Sequence, residues 1–211
     1  MIASGDQKWI DFVRHILKWE GKQSKNPNDT ASKCVSAGQV HTNRGVTYCT
    51  FKALAPSLKI TPVTYERFLK LTDADAAKFI YRFYQDVKGA DLPDPIALAM
   101  TEAAWGSGPD RAYTHLRDAL KDMGKVVDSN VDARKLAKSV NTDILFDKYQ
   151  ARRRQFLEVT LGKQAKYSMF VKGWLNRLED FGKKFNPPII TWGIPLFFFL
   201  FLFRKQLKLT K

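Results

Sequence analysis

The stretch QKWIDFVRHILKWEG, residues 7–21, decides how the chain is read. Trp9, Ile10, Val13, Ile16 and Leu17 recur at helical spacing, which predicts an amphipathic first helix ending at Gly21. That spacing sets Glu20 in the last turn, on the apolar stripe with Val13, Ile16 and Leu17. An acid at a helix C-terminus runs against the dipole. Taken alone, such a Glu reads as a partly exposed terminal acid or a salt-bridge partner.

Downstream, residues 22–49 are rich in Lys, Asn, Ser, Thr and Gly and lack a helical period. They predict a small polar hairpin lobe, with strands at 39–41 and 45–49. The remainder reads as helical: 51–58, 62–71, then a helix capped by Thr72 and running to Val87. Asp75 stands at its capping-box position, and Phe79, Ile80, Phe83 and Tyr84 form its apolar face. Asp94-Pro95 opens a helix through Trp105. Gly106-Ser107-Gly108-Pro109 breaks the chain before a helix over 110–123 that stops at Gly124. Further helices are expected over 131–140, 142–161 and 166–181. The expected class is mainly α (α+β), with one domain over 1–186 and a hydrophobic C-terminal segment over 187–211.

Composition narrows the partners. The 211 residues are 45% hydrophobic, enough for one buried domain with an appendage. The net charge of +14 favours polyanions such as nucleic acid, anionic lipid or a wall polymer. Residues 161–211 hold ten Lys/Arg and two acids, so +8 of that charge lies there and only +6 in the first 160 residues. A nucleic-acid partner is therefore not expected. Residues 189–203, IITWGIPLFFFLFLF, are uncharged and bracketed by Lys183 and Lys184 before and Arg204, Lys205, Lys208 and Lys211 after. As a helix the run would rise about 22 Å, short of a bilayer core of roughly 30 Å. Extension back through 185–188 adds two prolines, and Pro195 interrupts the run. Membrane insertion is the favoured reading of this tail, with a buried hairpin or a partner-binding tail as the alternatives. The basic flanks prefer a cytoplasmic C-terminus only mildly. Asp6, Asp11 and the helical spacing argue against a signal peptide at the N-terminus.

Candidate chemistry is sparse. Asp29 follows Glu20 by nine residues across a loop, a spacing that lets two carboxylates face one cleft, as in glycoside hydrolysis. Glu102 lies among Ala97, Leu98, Met100, Ala103 and Ala104, where a carboxylate needs a partner or a raised pKa. An ion pair with Arg111 or Arg152 is expected. Arg152, Arg153 and Arg154 read as a solvated face with one member paired. His15, His41 and His115 form no metal-ligand spacing, and phosphate- or dinucleotide-binding motifs are lacking, so no metal or cofactor is expected. Cys34 and Cys49 are too few for a disulfide scaffold and read as one disulfide or two free thiols. Trp19 and Trp105 are candidates to line a sugar groove.

Three regions carry a family resemblance. The first is Trp19-Glu20-Gly21, then Asp29, then Thr42-Asn43-Arg44-Gly45-Val46-Thr47. The second is Glu102 with Gly106, Gly108 and Pro109, followed by Ala112, Leu116 and Leu120. The third is Arg154-x-Phe156 and Gly173-Trp174-Leu175-Asn176-Arg177. In this order they resemble the phage and bacterial N-acetylmuramidases of glycoside hydrolase family 108. Lys22 replaces the family's second glycine, and Glu102 and Gly106 stand for its Asp and Asn. Asp29-Thr30-Ala31-Ser32 stands for its Asp-Pro-Gly-Gly, followed by roughly seven extra residues that include Cys34.

The resemblance implies a lysozyme-like fold and hydrolysis of the MurNAc–GlcNAc β-1,4 bond. Glu20 would be the general acid, kept protonated by its apolar helix face. Asp29 would stabilise the oxocarbenium-like transition state or orient water, and Thr42 would hold that water. Trp19, Gly45 and Trp105 would touch substrate, while Glu102, Arg154, Trp174 and Arg177 would support the cleft. The implied partner is the glycan strand of peptidoglycan, with membrane or virion-protein contact through residues 187–211. The implied location is the periplasmic or cell-wall side, anchored by the C-terminus or virion-associated. The altered loop leaves a second reading, a non-catalytic wall-binding or structural phage protein on the same scaffold.

Overall fold

Asp6 starts the first helix by accepting a hydrogen bond from the backbone N–H of Lys8, and α1 then spans Gln7–Trp19. The structure, a computed structural model, describes residues 5–186. The apolar run at 189–203, and with it the expected membrane or virion contact, lies outside the described residues. Among the described residues no helix is long and apolar enough to cross a membrane.

After α1 come three short strands, β1 (Gln23–Ser24), β2 (Thr42–Asn43) and β3 (Val46–Thr47), forming one antiparallel sheet in that order. Thr42 pairs with Thr47 and Asn43 with Val46. The expected strands at 39–41 and 45–49 are thus shifted and shortened. Thr47 ends the hairpin because its hydroxyl oxygen accepts from the N–H of Thr50 and caps α2 (Tyr48–Leu54). The tip, Arg44-Gly45, has φ of 50° and 77°, the left-handed pair that a two-residue hairpin turn requires. Helices α3 (Tyr65–Leu69) and α4 (Asp73–Asp86) follow, the latter opened by the Thr72/Asp75 capping box.

The central element is α5 (Asp94–Ser107), whose residues 96–104 are all buried. Its alanines let α4 and α6 (Pro109–Lys121) approach closely, and α7 (Asn130–Ser139) and α8 (Thr142–Gln155) complete that layer. A π-helical turn at Phe156–Leu161 leads into α9 (Ala165–Phe185), which returns to α1. The helix expected over 142–161 is therefore α-helical only to Gln155.

α9 changes which face of α1 is inside. Trp9, Phe12, Val13, His15 and Ile16 are buried, while Ile10 and Leu17 are only half-buried. Phe12 and His15 meet Phe181 and Phe185 edge-on, so the covered face is set by a helix 160 residues away rather than by apolar count. A second cluster, Val40, Val46, Phe51, Phe68, Leu71 and Phe79, supports the sheet. Trp105 packs against both clusters, at the join between helical body and polar lobe.

Two buried imidazoles make the fold sensitive to acid. Burial lowers His15 and His115 from 6.5 to about 4. The unfolded chain therefore takes up these protons first as pH falls, so stability is full above about pH 6.5 and declines toward pH 4. Thermal melts between pH 7 and 4 should show a falling midpoint, with a shallower slope in His115→Gln. A midpoint independent of pH over that range would contradict this packing.

Candidate active site

Glu20 does not occupy the last helical turn. It is the C-cap of α1, with extended backbone (φ −92°, ψ 127°) that lifts its side chain off the helix face and toward the hairpin. Its side chain is 19% exposed, so it is both held and reachable. The expected apolar setting is replaced by donors. Oε1 accepts from the indole N–H of Trp105 at 2.8 Å and from Nη1 of Arg177 at 2.5 Å. Oε2 takes no hydrogen bond from any described residue. The two carboxyl oxygens are therefore distinguished: one is anchored and the other is free for chemistry.

Gly45 borders the carboxyl group. A Cβ on this residue would lie 2.7 Å from both Glu20 Cδ and Trp105 Cζ2, and 2.8 Å from Glu20 Oε2. Its φ of 77° independently favours glycine. The hairpin tip thus closes on Glu20 only because position 45 lacks a side chain. Asn43 fixes the hairpin from below, its Nδ2 donating to the carbonyls of Phe68 (2.7 Å) and Leu69 (3.2 Å).

The other half of Glu20's support is a buried charge cluster. Glu102, 3% exposed on α5, accepts at Oε1 from Arg177 Nε (2.5 Å) and at Oε2 from Arg153 Nη2. Burial pushes the Glu102 carboxyl up, but the guanidinium groups of Arg153 and Arg177 overcome it and hold it at about 2. In turn, the two carboxylates outweigh burial and raise Arg177 above its ordinary value. When Glu20 is ionised, two carboxylates and two guanidiniums balance in charge.

This pairing corrects the expected partners. Arg111 lies over the ring of Phe156, and Arg152 pairs with Asp122 on the surface. Arg154 pairs with Glu158 at the surface. All three members of the arginine triplet have an acidic partner, and the middle one is buried. Trp174 makes its ring contacts with Tyr167 and Phe170 on its own helix. Trp19 turns toward α9, its indole N–H donating to Asp180 at 2.9 Å. Of the two candidate groove tryptophans, only Trp105 touches Glu20.

Asp29 and Thr42 lie on the polar lobe and share a backbone anchor. Asp29 caps the 3-10 turn Thr30–Cys34 through Oδ1, which accepts from the N–H of Ala31, and its own N–H donates to the carbonyl of Asn26. The same carbonyl lies 3.0 Å from Nε2 of His41. A carbonyl only accepts, so Nε2 carries a proton toward Asn26. Thr42 Oγ1 is 2.9 Å from Nδ1 of the same ring. Cys34 and Cys49 are joined by a disulfide that ties the inserted loop to α2. Among the described residues no group of His, Cys, Asp and Glu could hold a metal ion.

His41, Asn43 and Arg153 were not singled out from sequence as site residues. Arg153 had a readable signal, because Leu145, Tyr149 and Arg153 recur every four residues on the buried face of α8. Removing the shared carboxylate should be costly. Glu102→Ala leaves two buried guanidiniums facing one carboxylate, and denaturant unfolding should show a loss of about 3 kcal/mol. A loss below about 1 kcal/mol would contradict the cluster.

Comparison with known proteins adds to this geometry. No curated protein matches the chain. Among solved structures, SagA of Brucella abortus superposes with a TM-score of 0.63 at 22% identity, covering 87% of this chain and 95% of that chain. That is a likeness of fold. Residues 13–108 match the family described as glycosyl hydrolase 108. The matched stretch, which is similar to that family, supplies Glu20, Asp29, Thr42, Gly45, Glu102 and Trp105.

Proposed function

We propose that the chain hydrolyses the MurNAc–GlcNAc β-1,4 bond of peptidoglycan, with Glu20 as general acid. The observation that carries this reading is the asymmetry of the Glu20 carboxyl: Oε1 is anchored by Trp105 and Arg177, and Oε2 is unbonded beside the hairpin tip. A proton on Oε2 is placed to pass to the glycosidic oxygen as the C–O bond breaks. Anchoring Oε1 fixes the direction of that transfer without a conformational search.

Asp29 supplies negative charge for the oxocarbenium-like transition state. Its Oδ2 takes no hydrogen bond from a described residue, while Oδ1 is committed to the turn. Thr42, held 2.9 Å from His41 Nδ1, orients the attacking water through its hydroxyl, and the proton that water loses as it bonds to the anomeric carbon returns to the carboxylate left on Glu20. Trp105 contributes an apolar edge to the groove beside Gly45. The net charge of +14 draws the protein to an anionic wall. The Cys34–Cys49 disulfide suits an oxidising compartment, which supports action on the cell-wall side.

Reducing-end release from purified peptidoglycan is the test. Glu20→Gln, which keeps the shape and both anchors but cannot donate the acid proton, should lower turnover at least about 100-fold. Full activity in that variant would overturn the assignment. Binding without release by the wild type would favour the non-catalytic scaffold instead. Gly45→Ala should cut turnover at least about tenfold while costing only about 1–2 kcal/mol in stability, because its Cβ displaces the Glu20 carboxyl. Equal turnover in Gly45→Ala would show that the hairpin tip does not set the acid's position.

A further inference from the structure

The inserted loop encloses a cavity of about 330 Å³ that the Glu20 chemistry does not use. Its lining includes Lys25, Lys33, Pro27, Val35, Ala37 and His41. His41 also contacts Thr42 through Nδ1, so the cavity adjoins the polar lobe that carries Thr42. We propose that this cavity is a subsite for a carboxylate-bearing peptide branch of the glycan substrate. The inference rests on the proposed action on peptidoglycan, whose stem peptides have that chemistry.

Three observations converge. Charge comes first: Lys25 and Lys33 are both exposed, no acidic residue lines the cavity, and neither lysine has an ion-pair partner among the described residues. The shape suits a short peptide better than a sugar ring. Pro27, Val35 and Ala37 are the apolar residues of the lining, which has no Trp, Tyr or Phe, and they match small aliphatic side chains carried on an acidic backbone. Rigidity is the third. The loop is closed by the Cys34–Cys49 disulfide. It is braced by Gln39 Oε1 accepting from the Ser36 N–H, by the Ser36 carbonyl accepting from the Gln39 N–H, and by Asn26 on His41. A loop built only as a connection has no need of so many ties, whereas a preformed site loses less entropy on binding.

The experiment uses the full chain silenced by Glu20→Gln, titrated with two fragments of equal glycan length. One carries its tetrapeptides and the other has been stripped of them by an amidase. Expected is about tenfold tighter binding of the peptide-bearing fragment, as two partly exposed charge pairs would give. Lys25→Gln combined with Lys33→Gln should reduce that ratio to about one, and Lys25→Arg with Lys33→Arg should restore it. Equal binding of both fragments, binding of neither, or a ratio unchanged by the Gln pair would overturn the subsite. The two readings separate cleanly. A peptide preference without glycan cleavage by the wild type defeats the hydrolase reading alone, and cleavage without preference defeats the subsite alone.

Discussion

The guanidinium of Arg177 is the constraint on which the site depends. It reaches Glu20 with Nη1 and Glu102 with Nε, and so fastens α9 to the end of α1 and to the middle of α5. A carboxylate as buried as Glu102 would be untenable alone, and a single guanidinium could not serve two acids in a dry setting. Arg153 supplies the second positive charge from α8. The matched glycosyl hydrolase 108 residues end at 108, so both arginines come from chain beyond them. α8 and α9 are accordingly part of the site rather than a later addition to it.

Opposite this charge cluster stands a lobe almost without regular structure, made rigid by other means. Its strands are two residues long, yet Asn43 ties the hairpin to α3, His41 ties Thr42 to Asn26, and a disulfide ties the inserted loop to α2. Trp105 is where lobe and helical body meet, packing on both clusters while holding Glu20. The acid is thus gripped from the body side on Oε1 and bordered from the lobe side by a glycine. Function and fold share these contacts, so strain at position 45 is felt first by the chemistry.

Much of this was legible in residues 7–21 and in the caps. Thr72 with Asp75, and Gly124, mark helix ends by local hydrogen bonding or positive φ, which depend on few distant residues. The partner of Glu102 was not legible. Helical periodicity tells that Arg153 shares a stripe with Tyr149, but not which helix that stripe meets. On α1 the stripe supplies Trp9, Val13 and Ile16 to the interior, and α9 adds Phe12 and His15 to it for the same reason, while Ile10 and Leu17 stay half-buried. Glu20 leaves its expected turn because one residue of extended backbone at the cap re-aims the side chain. The hairpin register slipped because Thr47 serves the following helix and ends the strand early.

Held at Oε1 by Arg177 and Trp105, Glu20 is proposed to break one particular bond. The direct measurement is the identity of the sugar at each new chain end. Peptidoglycan digested by the full chain is reduced with borohydride, hydrolysed in acid and its sugar alcohols are separated. Muramitol, formed from a reducing-end MurNAc, is the expected product. Glucosaminitol in its place, or no new sugar alcohol, would contradict it.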